Sequence, residues 1–272
     1  MNYRCIPNNQ KKKGREKSHA FFIVNFNSLV KKIRLCYYIF MKIFAISDLH
    51  ISTNTNKPMD IFGGNWVGYM EKIRQDWNEK VCDDDLVLIG GDISWAMNIC
   101  DAQKDILSLS DLKGKKIMIK GNHDYWWSGI GKVRDILPDG FYALQNDYIK
   151  FNDVIICGSR CWSVPGSPDF NEQDMKLYLR EQERLKLSLN SAVKMKNDGD
   201  KIIALIHYPP FNVHRDSSAF TELFEQYGVS SVIYGHLHGK NVRADKMVIK
   251  NGVKYYLTSC DQVDNKLTQI EI

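Results

Sequence analysis

Short runs of β-branched and aromatic residues alternate with longer polar stretches from residue 41 to the end of the sequence. Each run is bounded by polar or turn-forming residues, which is typical of strands buried on both faces. The runs cover residues 43–46, 86–89, 116–119, 154–156, 202–206 and 231–234. Because the stretches between them are compatible with helices, the pattern predicts a layered α/β fold.

Helical periodicity is clearest between residues 172 and 196, where apolar side chains recur at three- and four-residue spacing until Asn197-Asp-Gly199. Shorter helices are predicted over 67–81 and 220–227. After residue 246 the pattern changes, because Asn251-Gly252 separates two strand-like segments and is typical of a two-residue hairpin turn. We predict a hairpin there, followed by a last edge strand over 267–272.

The first 40 residues differ from the rest in pattern and in charge. They lack regular periodicity and contain nine Lys or Arg residues against one Glu, whereas residues 41–272 contain 28 basic and 31 acidic residues. We predict an N-terminal extension over 1–40, which need not be part of the native protein, and a single domain over 41–272. A targeting segment has the same basic composition and is the alternative for residues 1–40.

The cysteine pattern and the hydropathy of the sequence indicate the cellular compartment of the protein and exclude some classes of partner. The seven cysteines are scattered, without a C-x-x-C pair or a typical secretory signal, which favours reduced thiols and a cytoplasmic location. We expect Cys157 and Cys161 to pack in the core rather than to bind a metal. No run approaches the roughly 20 apolar residues of a membrane span, so we expect no membrane partner.

Five polar clusters each follow directly on one of the predicted strands. The carboxyl ends of strands are where open α/β sheets bind ligands, so we expect the clusters to converge on one edge. Together they provide carboxylate and amide oxygens and imidazoles but no thiolate, a set that suits Mn²⁺, Fe or Zn²⁺. Each cluster alone has the composition of an ordinary turn. The clusters are Asp48-Leu-His50, Gly91-Asp92, Gly121-Asn-His-Asp124, His207 and Gly235-His-Leu-His238.

In order, spacing and residue identity, these clusters resemble the motifs of the calcineurin-like metallophosphoesterase superfamily. The resemblance extends from about residue 42 to residue 238. The resemblance implies an αββα fold, that is, a layered β-sandwich of two sheets flanked by helices. It also implies two divalent metal ions, with the Asp92 carboxylate bridging them and His123 facing the substrate. The ligands it implies are Asp48, His50 and His238 for one ion and Asn122, His207 and His236 for the other.

A centre of this kind hydrolyses a phosphoester by in-line attack of a metal-bridging hydroxide, and a residue such as His123 can assist the leaving oxygen. We therefore expect a phosphoesterase that acts on a small phosphodiester or phosphomonoester, nucleotides included. The alternatives are a metal-dependent nuclease and a non-catalytic binding scaffold with the same fold. The acidic balance of residues 41–272 argues against nucleic acid as a partner, and the complete ligand set argues against the scaffold.

Two features distinguish this sequence within the superfamily. Serine/threonine phosphatases read Gly-Asp-x-x-Asp-Arg-Gly, whereas Trp95 stands at the second Asp here, which argues against that branch. Asp124 is then a candidate to orient His123, or else a surface or helix-capping carboxylate.

Arg160 and Trp162 are candidates for substrate contact. A guanidinium group such as that of Arg160 can hold phosphate oxygens in a fork. An aromatic wall for a flat group would come from Trp66, Trp95, Trp126, Trp127 and Trp162.

Overall fold

The structure is a computed structural model that describes residues 41–53, 57, 59–168, 170–242 and 244–272. The predicted extension over 1–40 lies outside the described residues, so the boundary at residue 41 stays a prediction. The strands are β1 (Ile43–Ile46), β2 (Leu86–Ile89), β3 (Lys115–Ile119), β4 (Phe141–Leu144), β5 (Tyr148–Phe151), β6 (Val154–Cys157), β7 (Lys201–Leu205), β8 (Val229–Tyr234), β9 (Met247–Lys250), β10 (Val253–Leu257) and β11 (Thr268–Gln269).

Five α-helices and two short 3₁₀ turns connect the strands in the described part of the chain. The 3₁₀ turns span Met59–Phe62 and Gly64–Trp66. Among the described helices, none combines the length and the apolar character that crossing a bilayer requires. The helices are α1 (Tyr69–Lys80), α2 (Ile99–Leu107), α3 (Ile130–Asp135), α4 (Glu172–Lys194) and α5 (Ala219–Gln226).

The strands form two sheets. The first has the order β11-β1-β2-β3-β4 and the second the order β5-β6-β7-β8-β10-β9. The inner pairs are parallel, whereas β11, β5 and β9 join antiparallel to their neighbours at sheet edges. Because the inner strands run in parallel, the loops after their carboxyl ends gather on one side of each sheet.

Side chains that alternate along each inner strand pack into different cores. In β1, Ile43 and Ala45 face the core shared by the two sheets, whereas Phe44 packs toward helices α1 and α2. In β7, Ile203 faces the shared core and Ile202 packs toward α4 and α5. Strands covered on both faces are apolar throughout, which explains the continuous runs in the sequence. The helix–sheet–sheet–helix order confirms the predicted αββα fold.

Most predicted elements are confirmed close to their expected bounds, including α1, α4, α5 and the six buried strands. The hairpin of β9 and β10 turns at Asn251 and Gly252, whose φ angles of 49° and 83° are those of the expected two-residue turn. The last strand is shorter than predicted and joins β1 in the first sheet. The sequence pattern missed β4, β5, α2 and α3. Cys157 and Cys161 are buried in the core on the α4 side of the second sheet, as expected.

Candidate metal centre

Backbone hydrogen bonds continue beyond the strands and hold the motif loops side by side. The N–H of Asp48 donates to the carbonyl of Gly91 at 3.0 Å, and that of His50 donates to the carbonyl of Asp92 at 2.9 Å. These two bonds join the loops after β1 and β2. In the second sheet the N–H of Gly235 donates to the carbonyl of His207 at 3.0 Å, which joins the loops after β7 and β8.

Four motif residues have backbone angles in the left-handed region, which non-glycine residues adopt rarely. The φ angles are 58° at Asp48, 44° at His50, 50° at Asp92 and 69° at His236. Such angles cost free energy and persist only where surrounding contacts impose them, most often at functional sites. The backbone of these loops is therefore shaped to aim particular side chains.

Four of the motif side chains form a compact cluster. Asp48, His50, Asp92 and His238 each offer one ligand atom, and the four atoms lie within 4.8 Å of one another. Both ring nitrogens of His50 and the Oδ2 atom of Asp92 are buried without a hydrogen-bond partner among the described residues. An unpaired buried polar atom costs roughly 1 to 3 kcal/mol, so the cluster fits a cation that would satisfy these atoms.

A second group of polar atoms converges beside the first. The Nδ1 atom of His207 lies 2.9 Å from the carbonyl oxygen of Gly90, to which it donates, so its Nε2 atom carries a lone pair. That Nε2 atom lies 2.7 Å from Oδ1 of Asn122, and Nδ1 of His236 lies 2.9 Å from the same oxygen. Asn122 Oδ1 has no hydrogen to offer, so this group also fits a cation.

Burial sets the charge states of these side chains. It lowers the pKa of His207 to about 3 and the pKa of His236 to about 2, so both imidazoles are neutral, the form that binds metals. Burial raises the pKa of Asp92 to about 6. The pKa of Asp48 is raised first by burial and then by the negative charge of Asp92. Bound cations would relieve this repulsion between buried carboxylates.

His123 lies at the margin of the cluster. Its backbone N–H donates to Oδ1 of Asp92 at 2.8 Å, and its half-buried ring lies 4.8 Å from the Trp95 ring, centroid to centroid. Its centroid is 5.6 Å from that of His50. Burial lowers the pKa of His123, and the charge of Asp92 opposes this shift. The structure thus brings His123 beside the candidate ligands.

Asp124 serves neither of the roles considered for it. It is fully buried rather than at the surface, and its oxygens accept hydrogen bonds from Gly121 N–H at 2.8 Å and Ile93 N–H at 2.9 Å. The Trp126 indole N–H also donates to it, at 3.0 Å. The side chain of His123 is not among these partners. Asp124 therefore fixes the second and third motif loops to each other.

The prediction of an aromatic wall is wrong for three of its five tryptophans. Trp66, Trp126 and Trp127 are at most 3% exposed, so their faces are covered by the core and cannot stack a ligand. Trp95 is partly exposed, but its ring is stacked on that of His50 at 4.6 Å with 21° between the planes. Trp66, Trp95, Trp126 and Trp127 lie next to the motif loops in the sequence. In the structure they pack against these loops and orient them.

Arg160 and Trp162 lie together in the loop after β6. The Arg160 guanidinium is 4.6 Å from the Trp162 ring centroid, and Trp162 lies 4.7 Å from Tyr208. Tyr208 in turn lies 4.1 Å from His236. A continuous stack of side chains therefore joins Arg160 to a candidate ligand. The sequence reasoning missed Tyr208, whose only signal was its position directly after His207.

The fold and the clustered carboxylates and imidazoles define a class of α/β protein that holds metal ions at the carboxyl ends of its central strands. Residues 41–240 match the family model of the calcineurin-like phosphoesterases, so the chain belongs to this family. Family membership and the cluster of Asp48, His50, Asp92 and His238 together identify a metal-dependent phosphoesterase.

Solved structures show the same fold at low sequence identity. The phosphopantetheinyl hydrolase PptH from Mycobacterium tuberculosis aligns with a TM-score of 0.51 and 14% identity, over 84% of this chain and 95% of that one. The protein TT1561 of Thermus thermophilus aligns with a TM-score of 0.53 and 13% identity, over 85% of this chain and 98% of that one. None of the curated proteins gives a significant match.

Proposed function

We propose that the protein is a binuclear metallophosphoesterase that hydrolyses a small phosphodiester or phosphomonoester. One observation carries the binuclear assignment. The Oδ2 atom of Asp92 lies 3.8 Å from Nε2 of His50 in the first group and 3.5 Å from Nε2 of His207 in the second. An unpaired carboxylate oxygen between two sets of ligand atoms is what a shared ligand requires.

The proposed ligands divide between the two groups. Divalent cations of the Mn²⁺, Fe or Zn²⁺ type would supply Lewis acidity, lowering the pKa of a coordinated water and neutralising charge on phosphoryl oxygens. Asp92 would contact both cations. Asp48, His50 and His238 would hold one of them, and Asn122, His207 and His236 would hold the other.

The surrounding residues prepare these ligands for the reaction. The hydrogen bond from His207 Nδ1 to the Gly90 carbonyl fixes the tautomer and the plane of the ring. Asn122 contributes an oxygen without a further negative charge, which keeps the site attractive to phosphate. His123, held beside the centre by its backbone bond to Asp92, would donate a proton to the leaving oxygen.

A small soluble ester fits the chain better than nucleic acid. The acidic balance of residues 41–272 provides no general attraction for a polyanion, so recognition would depend on local contacts such as Arg160 and Trp162. We also propose a cytoplasmic location, which the free thiols of Cys82 and Cys100 on the surface support.

The test is hydrolysis by the full chain reconstituted with Mn²⁺, Fe²⁺ or Zn²⁺. The substrates are p-nitrophenyl phosphate, bis-p-nitrophenyl phosphate, cyclic nucleotides and single- and double-stranded DNA. We expect turnover of a small ester that EDTA abolishes and that His207→Ala reduces at least roughly 100-fold. His214→Ala is the matched control, because His214 is exposed and outside both ligand groups, and we expect it to keep full activity.

Each other outcome favours a named alternative. DNA as the fastest substrate would replace the proposal with a nuclease. Tight binding of metal and phosphoester without turnover of any substrate would identify the binding scaffold. Turnover that persists in both EDTA and His207→Ala would show that the hydrolysis does not use this centre.

A further inference from the structure

A cavity of about 330 Å³ lies at the same carboxyl edge of the sheets as the candidate metal centre. Its walls come from the segments that follow β3, β4 and β6, and α4 covers one side. The cavity contains none of the proposed metal ligands. Its lining includes the four cationic side chains of Lys120, Arg160, Arg180 and Arg184, and we call it the basic cavity.

The basic cavity holds more positive than negative charge. Glu181 is the one carboxylate in its lining, and its side chain is 1% exposed. Its Oε1 atom lies 2.7 Å from Arg184, 3.3 Å from Arg180 and 4.0 Å from Arg160. A single carboxylate balances one of the four cations, so three positive charges remain, although residues 41–272 as a whole are acidic.

Lys120 adds a positive charge to the lining of the basic cavity. Lys120 Nζ donates to the neutral backbone carbonyl of Trp127 at 2.9 Å, and it has no ion pair among the described residues. Like charges gathered at a partly buried site favour the binding of an anion.

Helix α4 presents its two arginines as a pair. Arg180 and Arg184 are one turn apart on the same face, about 6 Å along the axis, and their side chains are 48% and 42% exposed. The buried carboxylate of Glu181 orients both guanidinium groups but uses only part of their hydrogen-bonding capacity. Each guanidinium has five N–H donors in a planar fork, a geometry that matches phosphate oxygens.

The basic cavity and the metal centre share two loops. Lys120 precedes the proposed ligand Asn122 by two residues. On the opposite wall, the backbone carbonyl of Arg160 accepts the N–H of His207 at 3.2 Å and that of Tyr208 at 3.1 Å. The basic cavity and the metal centre are therefore neighbours along both loops.

We propose that the basic cavity binds a second phosphate group of the substrate, so that the preferred substrate carries one phosphate beyond the ester that is hydrolysed. This inference rests on the proposed phosphoesterase activity of the metal centre. It assigns Lys120, Arg180 and Arg184 to substrate binding together with Arg160. Glu181 is a positioning residue that holds the guanidinium groups in place.

The first experiment uses two substrates that differ only in the second phosphate. Thymidine 5′-(p-nitrophenyl phosphate) and its 3′-phosphorylated form release the same leaving group, so their kcat values should be similar. For the metal-loaded full chain we expect KM to be at least roughly tenfold lower for the 3′-phosphorylated ester. Lys120→Gln and Arg184→Gln should remove most of that advantage, and Arg184→Lys should restore part of it.

Arg134→Gln is the matched control, because Arg134 pairs with Asp147 on the surface outside the basic cavity, and it should keep the KM difference. Arg184→Gln leaves Glu181 with fewer partners and can destabilise the fold. Lys120 does not pair with Glu181, so Lys120→Gln tests the inference even if Arg184→Gln fails to fold. Equal KM values for the two esters in the wild type would overturn the inference.

The second experiment measures binding without turnover. Isothermal titration of inorganic pyrophosphate into the full chain in EDTA should show one saturable site that weakens as salt rises. Lys120→Gln should weaken this site at least roughly tenfold, and Arg134→Gln should leave it unchanged. Equal binding by the wild type and Lys120→Gln would place the anion elsewhere and overturn the inference.

The two experiments separate the inference from the activity on which it rests. Turnover of both thymidine esters at equal KM would retain the phosphoesterase and remove the second-phosphate role. Pyrophosphate binding that depends on Lys120, with no turnover of these esters or of any substrate in the panel above, would overturn the proposed activity and leave an anion site without a substrate role.

Discussion

The carboxylate of Asp124, in the third motif loop, accepts the backbone N–H of Ile93, which lies 31 positions earlier in the second motif loop, at 2.9 Å. Its other oxygen accepts the N–H of Gly121 within its own loop. Both loops carry proposed metal ligands, namely Asp92 and Asn122. A fully buried carboxylate thus sets the spacing of two ligands without contacting either metal group directly.

Replacement of Asp124 by Asn should destabilise the protein. The amide would turn an NH₂ group toward a backbone N–H that now donates to a carboxylate oxygen, leaving buried donors opposed. We expect a loss of roughly 2 to 4 kcal/mol in the free energy of unfolding, measured by urea denaturation. Asp111→Asn is the control, since Asp111 is 65% exposed and pairs with Arg74 at the surface. A change below about 1 kcal/mol at Asp124 would contradict the structural role.

Replacement of Asp92 by Asn should reduce metal occupancy and turnover together, because this carboxylate is proposed to contact both ions. Elemental analysis of the wild type loaded with Mn²⁺ should approach two ions per chain, and the variant should retain fewer. Asp264→Asn is the control, because Asp264 is 76% exposed and pairs with Lys246. A plateau at one ion in both the wild type and Asp92→Asn would remove the bridging assignment.

Replacement of His123 by Ala should have an effect that depends on the leaving group. General acid catalysis contributes roughly 10² to 10⁴ in rate when the leaving alkoxide is basic, and much less for p-nitrophenolate. The variant should keep its metals and most of its activity on a p-nitrophenyl ester but lose far more on an alkyl ester. Equal losses on both esters would indicate electrostatic stabilisation instead. Loss of metal would make His123 a ligand or the support of one.

Replacement of Trp95 by Ala should disturb both His50 and His123, since the indole lies 4.6 Å from one ring and 4.8 Å from the other. Loss of groups that orient ligands typically costs roughly 10- to 100-fold, and we expect a decrease of that size in kcat. Trp95→Phe should recover part of it by retaining a flat ring. Met97→Ala, at an exposed neighbour, should have no effect. An unchanged kcat in Trp95→Ala would show that other contacts orient the histidines.

Deletion of residues 1–40 should leave the melting temperature and the turnover nearly unchanged. The reason is the break in charge and pattern at Met41, directly before β1. Differential scanning calorimetry and the phosphoesterase assay test this on the shortened chain, and mass spectrometry of the native protein shows whether the extension is made. An insoluble or much less stable product would show that the apolar segments 21–24 and 37–40 pack against the domain.

The sequence predicted those elements whose burial is visible in local pattern. Strands covered on both faces, such as β2 and β7, appear as uninterrupted apolar runs. Strand β5 was missed because each of its residues is partly exposed, so its pattern resembles that of a loop. Helix α2 was also missed, although the Asn98 side chain caps its first turn.

The candidate ligands were predictable because they directly follow the buried strands. Their supporting residues were not, since support depends on contacts between distant segments. Asp124 has the composition of an ordinary turn residue until its burial and its bond to Ile93 are known. Glu181 reads as one charged position among many on α4, and only its 1% exposure and arginine neighbours distinguish it. Local sequence therefore identifies candidate ligands better than the residues that hold those ligands in place.

The pairing of β11 with β1 has a consequence for how the chain matures. Phe44 is the register partner of Gln269, so the strand that leads into Asp48 and His50 acquires its outer neighbour only when synthesis has passed residue 269. Until then its edge exposes unpaired backbone groups to other nascent chains. The edge that carries the candidate ligands should therefore be assembled only after β11 has left the ribosome, and translation arrested before β11 should yield polypeptides prone to aggregate.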